Sequence, residues 1–393
     1  MQKKYNLENM KHRFISLLIG SILLFVLGCT NTLTKQDTII DSSQPHLIKQ
    51  CKLSDIISQV QFIPLETNDS VLVGNISKIK QRNGNFYILA DGLLLKFSPD
   101  GKFERNMVGI GGGPLEVPAI ADYDVYKDKL YILSPGKILE IDNSNYRDIR
   151  VIPVPQHVGW GRIRTTDYGI LIAANNPNDG NSAIMLLDYD DGSIVKELVR
   201  GDSNWELQRA MELLPIDSKH YMHQLGQSDD VLLLNVDAAT VDTIRFSGFD
   251  NVISNEGYKK ESRTVNSKTD FDTEAFYGIC NSNSHYFWAG LNKSGMRFYF
   301  SDKATGQTIS VPSDGLIDNV TFTEDINQNQ LIGMLSFNDS DGDSFISVIY
   351  PEDIKGRVSD APAKFRNEYA IIDSLEADSN PLVVLIKFDS IRK

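Results

Sequence analysis

The chain has 393 residues, 41% of them hydrophobic and 23% charged, and its formal charge is −13 at neutral pH. That acidity argues against nucleic acid as a partner and against adsorption to anionic lipid headgroups. Its three cysteines show no C-x-x-C or Cys/His spacing, which argues against a zinc site, and no cofactor is expected.

Residues 10–29 give the address. Lys11, His12 and Arg13 precede fourteen mostly apolar residues, 14–27, and then come Gly28 and Cys29. A membrane-spanning helix needs about 20 apolar residues, so this run reads as the core of a signal peptide. A small residue directly before a cysteine resembles the lipobox of bacterial lipoproteins. The resemblance implies cleavage before Cys29 and lipid attachment to it, so that residues 1–28 are a signal peptide and the protein meets the membrane through its lipid. The removed segment holds four Lys/Arg and one Glu, which takes the charge from −13 to −16. Thr30 rather than Asp follows the cysteine, and no dense acidic run comes next. By the sorting pattern of Gram-negative lipoproteins, this implies the outer membrane with the body facing the periplasm.

Residues 29–58 are polar and read as a tether between anchor and body. Cys51 and Cys280 are expected as buried or free thiols rather than a bridge. From residue 59 the pattern becomes short strands with period-two alternation, separated by turn residues. Apolar runs at 86–89 and 93–97, 130–133 and 138–142, 170–174 and 184–189, 231–236 and 241–246, 286–291 and 296–300, and 331–337 and 345–350 come in pairs. Turns near 100, 144, 191, 248, 305 and 342 repeat every 36 to 57 residues, the length of one four-stranded propeller blade. The fold class is therefore all-β, a six-bladed β-propeller over residues 59–393. Residues 361–379 interrupt the strands as one helix, with Phe365, Tyr369, Ile372 and Leu375 on a single stripe. The apolar runs at 60–63 and 382–386 lie at opposite ends of the body, and closure of the ring predicts that both enter the sixth blade.

Several of these segments resemble one family. Ile63-Pro64-Leu65-Glu66-Thr67, the turn Ser98-Pro99-Asp100-Gly101, the loop Gly109-Ile110-Gly111-Gly112-Gly113-Pro114-Leu115-Glu116 and the closing Asn380-Pro381-Leu382 are similar to the 6-bladed β-propeller family of envelope lipoproteins, and more distantly to NHL repeats. The resemblance implies the fold and the anchor, and it transfers no activity.

Chemistry is sparse. The loop at 109–116 lacks GxxxxGK[ST] and reads as a tight crossover between blades rather than a phosphate loop. The run Asn338-Asp339-Ser340-Asp341-Gly342-Asp343 has the oxygen density of a calcium loop, but its glycine is misplaced and no Glu closes it, so it reads as a solvated turn. His220 and His223 are expected on opposite faces of a strand, which removes them as a metal pair. Trp160, Arg162 and Arg164 alternate before a strand and form the candidate ligand-binding set, able to meet an acidic or sugar ligand at a central funnel. No nucleophile, base and acid can be placed together, so no catalytic residue is expected. The reading is a lipid-anchored module that binds or scaffolds a protein, peptide or glycan. The alternative is a propeller lactonase, lyase or hydrolase with its site in the central funnel.

Overall fold

The structure, a computed structural model, describes residues 38–40, 45–175, 180–201, 212–224, 230–246, 275–292, 295–322, 339–340 and 342–391. Cys29 and the run at 331–337 lie outside them. The strands form six antiparallel blades arranged as a β-propeller. Blade one is Ile76–Arg82, Asn85–Ala90, Leu93–Phe97 and Phe103–Asn106. Blade two is Asp122–Tyr126, Lys129–Ser134, Lys137–Asp142 and Ile149–Pro153. Blade three is Gly161–Thr166, Gly169–Ala174, Ser182–Leu187 and Ile194–Arg200. Blade four is Leu213–Pro215, His220–Gln224, Asp230–Asn235 and Thr240–Phe246. Blade five is Ala275–Asn281, His285–Asn292, Gly295–Asp302 and Thr308–Pro312.

Blade six closes the ring as expected. Its described strands are Phe345–Ile349, Leu382–Phe388 and Ile57–Pro64, with the C-terminal strand between the other two. Leu382 stands opposite Pro64 and Ile386 opposite Val60, so the two ends of the body are hydrogen-bonded to each other. The family-like motifs meet here. Asn380 is buried; its side chain accepts from the Val73 amide at 2.8 Å and donates to the carbonyls of Glu66 and Val71. Glu66 in turn accepts from the Phe103 amide through its carboxylate, tying blade six to blade one.

The core lies between blades rather than within them. The middle strands are largely apolar on both faces, and the faces pack against the neighbouring blades; Ile63, Ile346 and Val383 of blade six, for example, share a cluster with Ile79, Phe86 and Ile88 of blade one. Such continuous apolar strands are what a stack of sheets buried on both sides requires.

The body begins before residue 59. His46–Leu47 pairs in parallel with the outer strand of blade five, Cys51–Lys52 pairs with Leu316–Ile317, and Leu53 and Ile57 are buried. Residues 29–37 and 41–44 of the expected tether lie outside the described residues. Cys51 and Cys280 are both free and buried in one apolar cluster.

A helical segment is present near the C terminus, but it is not one helix over 361–379. It starts at Pro351–Ile354 and continues as 3-10 turns, Lys355–Asp360, Ala363–Phe365 and Glu368–Ser374. Pro362 holds Ala361 in an extended conformation and splits the run. The stripe itself is as read: Phe365, Tyr369 and Ile372 are buried against blade six, and the Tyr369 ring packs edge-on to Phe62 at 4.7 Å.

Candidate functional site

The first strands of blades one to three line the axis, and on them charged residues recur at every second position. Lys78, Lys80 and Arg82 come from blade one, Asp122 and Asp124 from blade two, Arg162 and Arg164 from blade three. Period-two alternation puts each set on one side of its strand, facing the axis. Glu212, just before blade four, and Asp339, bridged to Lys80 of blade one, complete the group.

Five cations here face four carboxylates. The Lys78 ammonium lies 2.6 Å from Asp122 and 2.8 Å from Glu212. Lys80 lies 2.7 Å from Asp124. Arg82 and Arg164 both reach Asp339 at 2.5 Å, and Arg162 stands 3.1 Å from Glu212. The free oxygens of the blade-two carboxylates accept main-chain amides of blade three, Ile163 at 2.9 Å and Thr165 at 2.7 Å. In a ring of six, blades one and four are opposite, as are three and six. Lys78–Glu212 therefore spans the axis, Arg164 of blade three meets Asp339 beside the inner strand of blade one, and the side chains that make both pairs are buried or nearly so.

The electrostatics follow from that packing. Burial alone would raise the Asp339 carboxyl, but Arg164 and Arg82 hold it well below the usual carboxylate range. Asp124 is likewise held low against its burial, by Lys80 and Arg164. Burial, with Arg164 close by, brings the Lys80 ammonium down to about 8.

Of the residues singled out in the sequence, Arg162 and Arg164 belong to this hub, each facing a carboxylate of the chain itself. Trp160 does not; it sits in the connection before blade three with half its surface exposed. Lys78, Lys80, Arg82, Asp122, Asp124 and Glu212 were missed, and Asp339 was read only as a turn residue. The available signal was the K-x-K-x-R, D-x-D and R-x-R spacing, one set in each of blades one to three.

The other motifs are local. In the loop at 109–116 the Glu116 carboxylate folds back and accepts the Gly113 amide at 2.9 Å. A Cβ at Gly111 would lie 2.1 Å from that carboxylate, so the glycines make room for the Glu116 side chain. In the acidic run, Asp339 serves the hub and Asp343 accepts from Ser284, so its carboxylates do not share a centre; Asn338 and Asp341 lie outside the described residues. His220 and His223 are both on strand His220–Gln224, His220 half-exposed against Asp217 and His223 buried.

One open cleft of about 360 Å³ lies between blades six and one. Leu72, Val73, Pro351 and Pro381 line it together with Asp91, Glu352 and Asp378.

A family model described as a domain of unknown function, DUF4934, matches residues 38–387. The chain belongs to the DUF4934 family. The DUF4934 fold is also found in a solved structure, that of a presumptive exported protein of Bacteroides fragilis NCTC 9343. It superposes with a TM-score of 0.66 at 15% identity, covering 90% of this chain and 100% of that one. The Neurospora crassa Pan2 WD40 domain has a TM-score of 0.37 at 9% identity, over 61% of this chain and 65% of its own. BamB of Moraxella catarrhalis has 0.36 at 12%, over 67% and 70%. No curated protein matches this DUF4934 chain in sequence.

Proposed function

We propose that this protein is a lipid-anchored propeller of the cell envelope that acts as a rigid module for binding or scaffolding a protein, peptide or glycan partner. The observation that carries the reading is the state of the axis. A funnel enzyme presents uncompensated charged groups to its substrate from the inner strands. Here Lys78–Glu212 joins the opposite blades one and four, Arg164–Asp339 joins blade three to the segment bridged to blade one, and the inner-strand carboxylates are occupied by the chain's own cations and amides. Such a hub locks blade positions and leaves recognition to the faces of the ring. The address rests on the signal-like run ending at Gly28 and Cys29. An exported relative in fold supports it, and a periplasm-facing outer-membrane position is part of the same proposal.

Two measurements test it. Cys29→Ser should release the protein from the membrane fraction while its thermal melt is unchanged; retention in the membrane contradicts lipidation. Photo-crosslinking groups placed on both faces should trap a discrete partner in intact envelopes from one face. Even labelling from both faces, or none, contradicts a binding module.

A further inference from the structure

Three carboxylates, Asp91, Glu352 and Asp378, line the cleft between blades six and one. The hub spends five cations on four carboxylates deep in the fold, yet no Lys or Arg among the described residues pairs with Asp91, Glu352 or Asp378. The Asp91 carboxylate accepts the Asn75 amide at 3.1 Å. The three do not converge as metal ligands do: among the described residues no group of three or more His, Cys, Asp or Glu is placed to hold an ion. They are instead spread around a floor of Leu72, Val73, Pro351 and Pro381, and Leu72 is 75% exposed at the lip.

The same side of the ring carries other exposed apolar groups. Strand direction alternates through each blade, so the connections that lead into inner strands share a side with the turn between the second and third strands. Leu93, Ile110, Leu115 and Trp160 all lie in or beside such connections in blades one to three and are exposed. An acidic rim on an apolar floor is complementary to alternating basic and apolar side chains, and a spread of charges suits an extended segment better than a point ion.

We propose that this cleft docks a cationic, partly apolar peptide segment of a protein partner. This rests on the binding-module reading and names the chemistry of its partner. The side chains of Lys or Arg would meet Asp91, Glu352 and Asp378, and an apolar neighbour would cover Leu72.

The test uses the full chain in non-ionic detergent and a fluorescent Lys-Leu-Lys-Leu-Lys peptide at low salt, with Glu-Leu-Glu-Leu-Glu and Ser-Leu-Ser-Leu-Ser for comparison. Only the basic peptide should bind. Glu352→Gln with Asp378→Asn should weaken it by roughly fivefold or more, and Leu72→Ser should weaken it as well. Asp128→Asn with Asp242→Asn, exposed carboxylates on blades two and four, should leave it unchanged. Equal weakening by both double variants means diffuse acidity, and displacement of the peptide by calcium through the same residues means a metal site; either overturns the proposal, as does no binding. If peptide binding fails while envelope cross-links persist from another surface, the cleft is refuted and the module reading stands. If cross-links fail too, both fall.

Discussion

Gly101 lies against Pro64 so closely that a Cβ on the glycine would come within 2.0 Å of the Pro64 carbonyl oxygen. Gly192 has the same relation to Pro153, at 1.8 Å. In both cases the glycine of an Asp-Gly turn in one blade meets the end of the outer strand of the preceding blade. The Asp-Gly pairs therefore do two things. They supply the positive φ of a tight turn, +81° at Gly101 and +70° at Gly192, and they let adjacent blades approach through backbone.

Substitution separates the two effects. Gly101→Ala and Gly192→Ala add a methyl group where a main-chain oxygen stands, on top of a left-handed conformation, and each should cost about 2–4 kcal/mol. Gly136 also has positive φ, +84°, but nothing lies within 4 Å of its Cβ position. Gly136→Ala should therefore cost only about 1 kcal/mol. Chemical denaturation of the three variants decides the matter, and equal losses would mean that turn strain alone explains the glycines.

Asn380 is the second place where blades six and one are fastened. Removing its amide leaves the Val73 N–H and the Glu66 and Val71 carbonyls without that partner in a buried setting. Asn380→Ala should cost about 2–4 kcal/mol, since each abandoned buried group carries a penalty of about 1–3 kcal/mol and some are regained by water. Asn380→Asp restores the acceptor for Val73 but repels both carbonyls, and it should be no more stable than the alanine variant. A melting temperature within error of wild type for either variant would falsify this account of closure.

The second and third strands of most blades were legible in the sequence because their apolar runs end in Asp-Gly or Asn-rich turns, as at Phe97-Ser98-Pro99-Asp100-Gly101. The inner strands were much less so. Ile76–Arg82, Asp122–Tyr126 and Gly161–Thr166 alternate charge with apolar residues, the pattern of a strand with one face in water. Their charged face is instead buried at the axis, where oppositely charged strands from different blades meet, and no local pattern distinguishes water from a partner 44 residues away, as Asp122 is from Lys78. Arg162 and Arg164 were picked out as binding groups for the same reason: the residue types were right for meeting carboxylates, but the carboxylates belong to Glu212, Asp124 and Asp339.

The hub should behave as a coupled unit. Arg164→Met leaves Asp339 with only Arg82 and strips one partner from Asp124, and breaking a buried ion pair from one side costs about 3–5 kcal/mol. Asp339→Leu leaves two guanidiniums facing each other and should cost as much. The double variant should be more stable than the sum of the two losses predicts, by at least about 1 kcal/mol, because each single change strands the other partner. Additive losses in a double-mutant cycle would mean that the Arg164–Asp339 pair has no energetic existence.

The hub also fixes how stability depends on pH. Asp122, Asp124 and Asp339 are buried, but facing cations hold all three below the range of a free carboxylate: Lys78 and Arg162, Lys80 and Arg164, and Arg164 and Arg82 respectively. The unfolded chain takes up these protons from about pH 4 downward, before the native state does. The stability they contribute is therefore present above about pH 4 and lost as pH falls below it. Lys80 acts at the other end. Its ammonium titrates near 8 in the native state against 10.5 when unfolded, so the native state releases a proton first and stability rises with pH across that window. Tyrosines such as Tyr87, pushed by burial to about 12, oppose this above about pH 10. The clean comparison is thus the difference between wild type and Lys80→Met from about pH 8 to 9.5. Wild type should gain on the variant as pH rises, and a constant or shrinking difference would show that Lys80 is not held as a buried, destabilised cation.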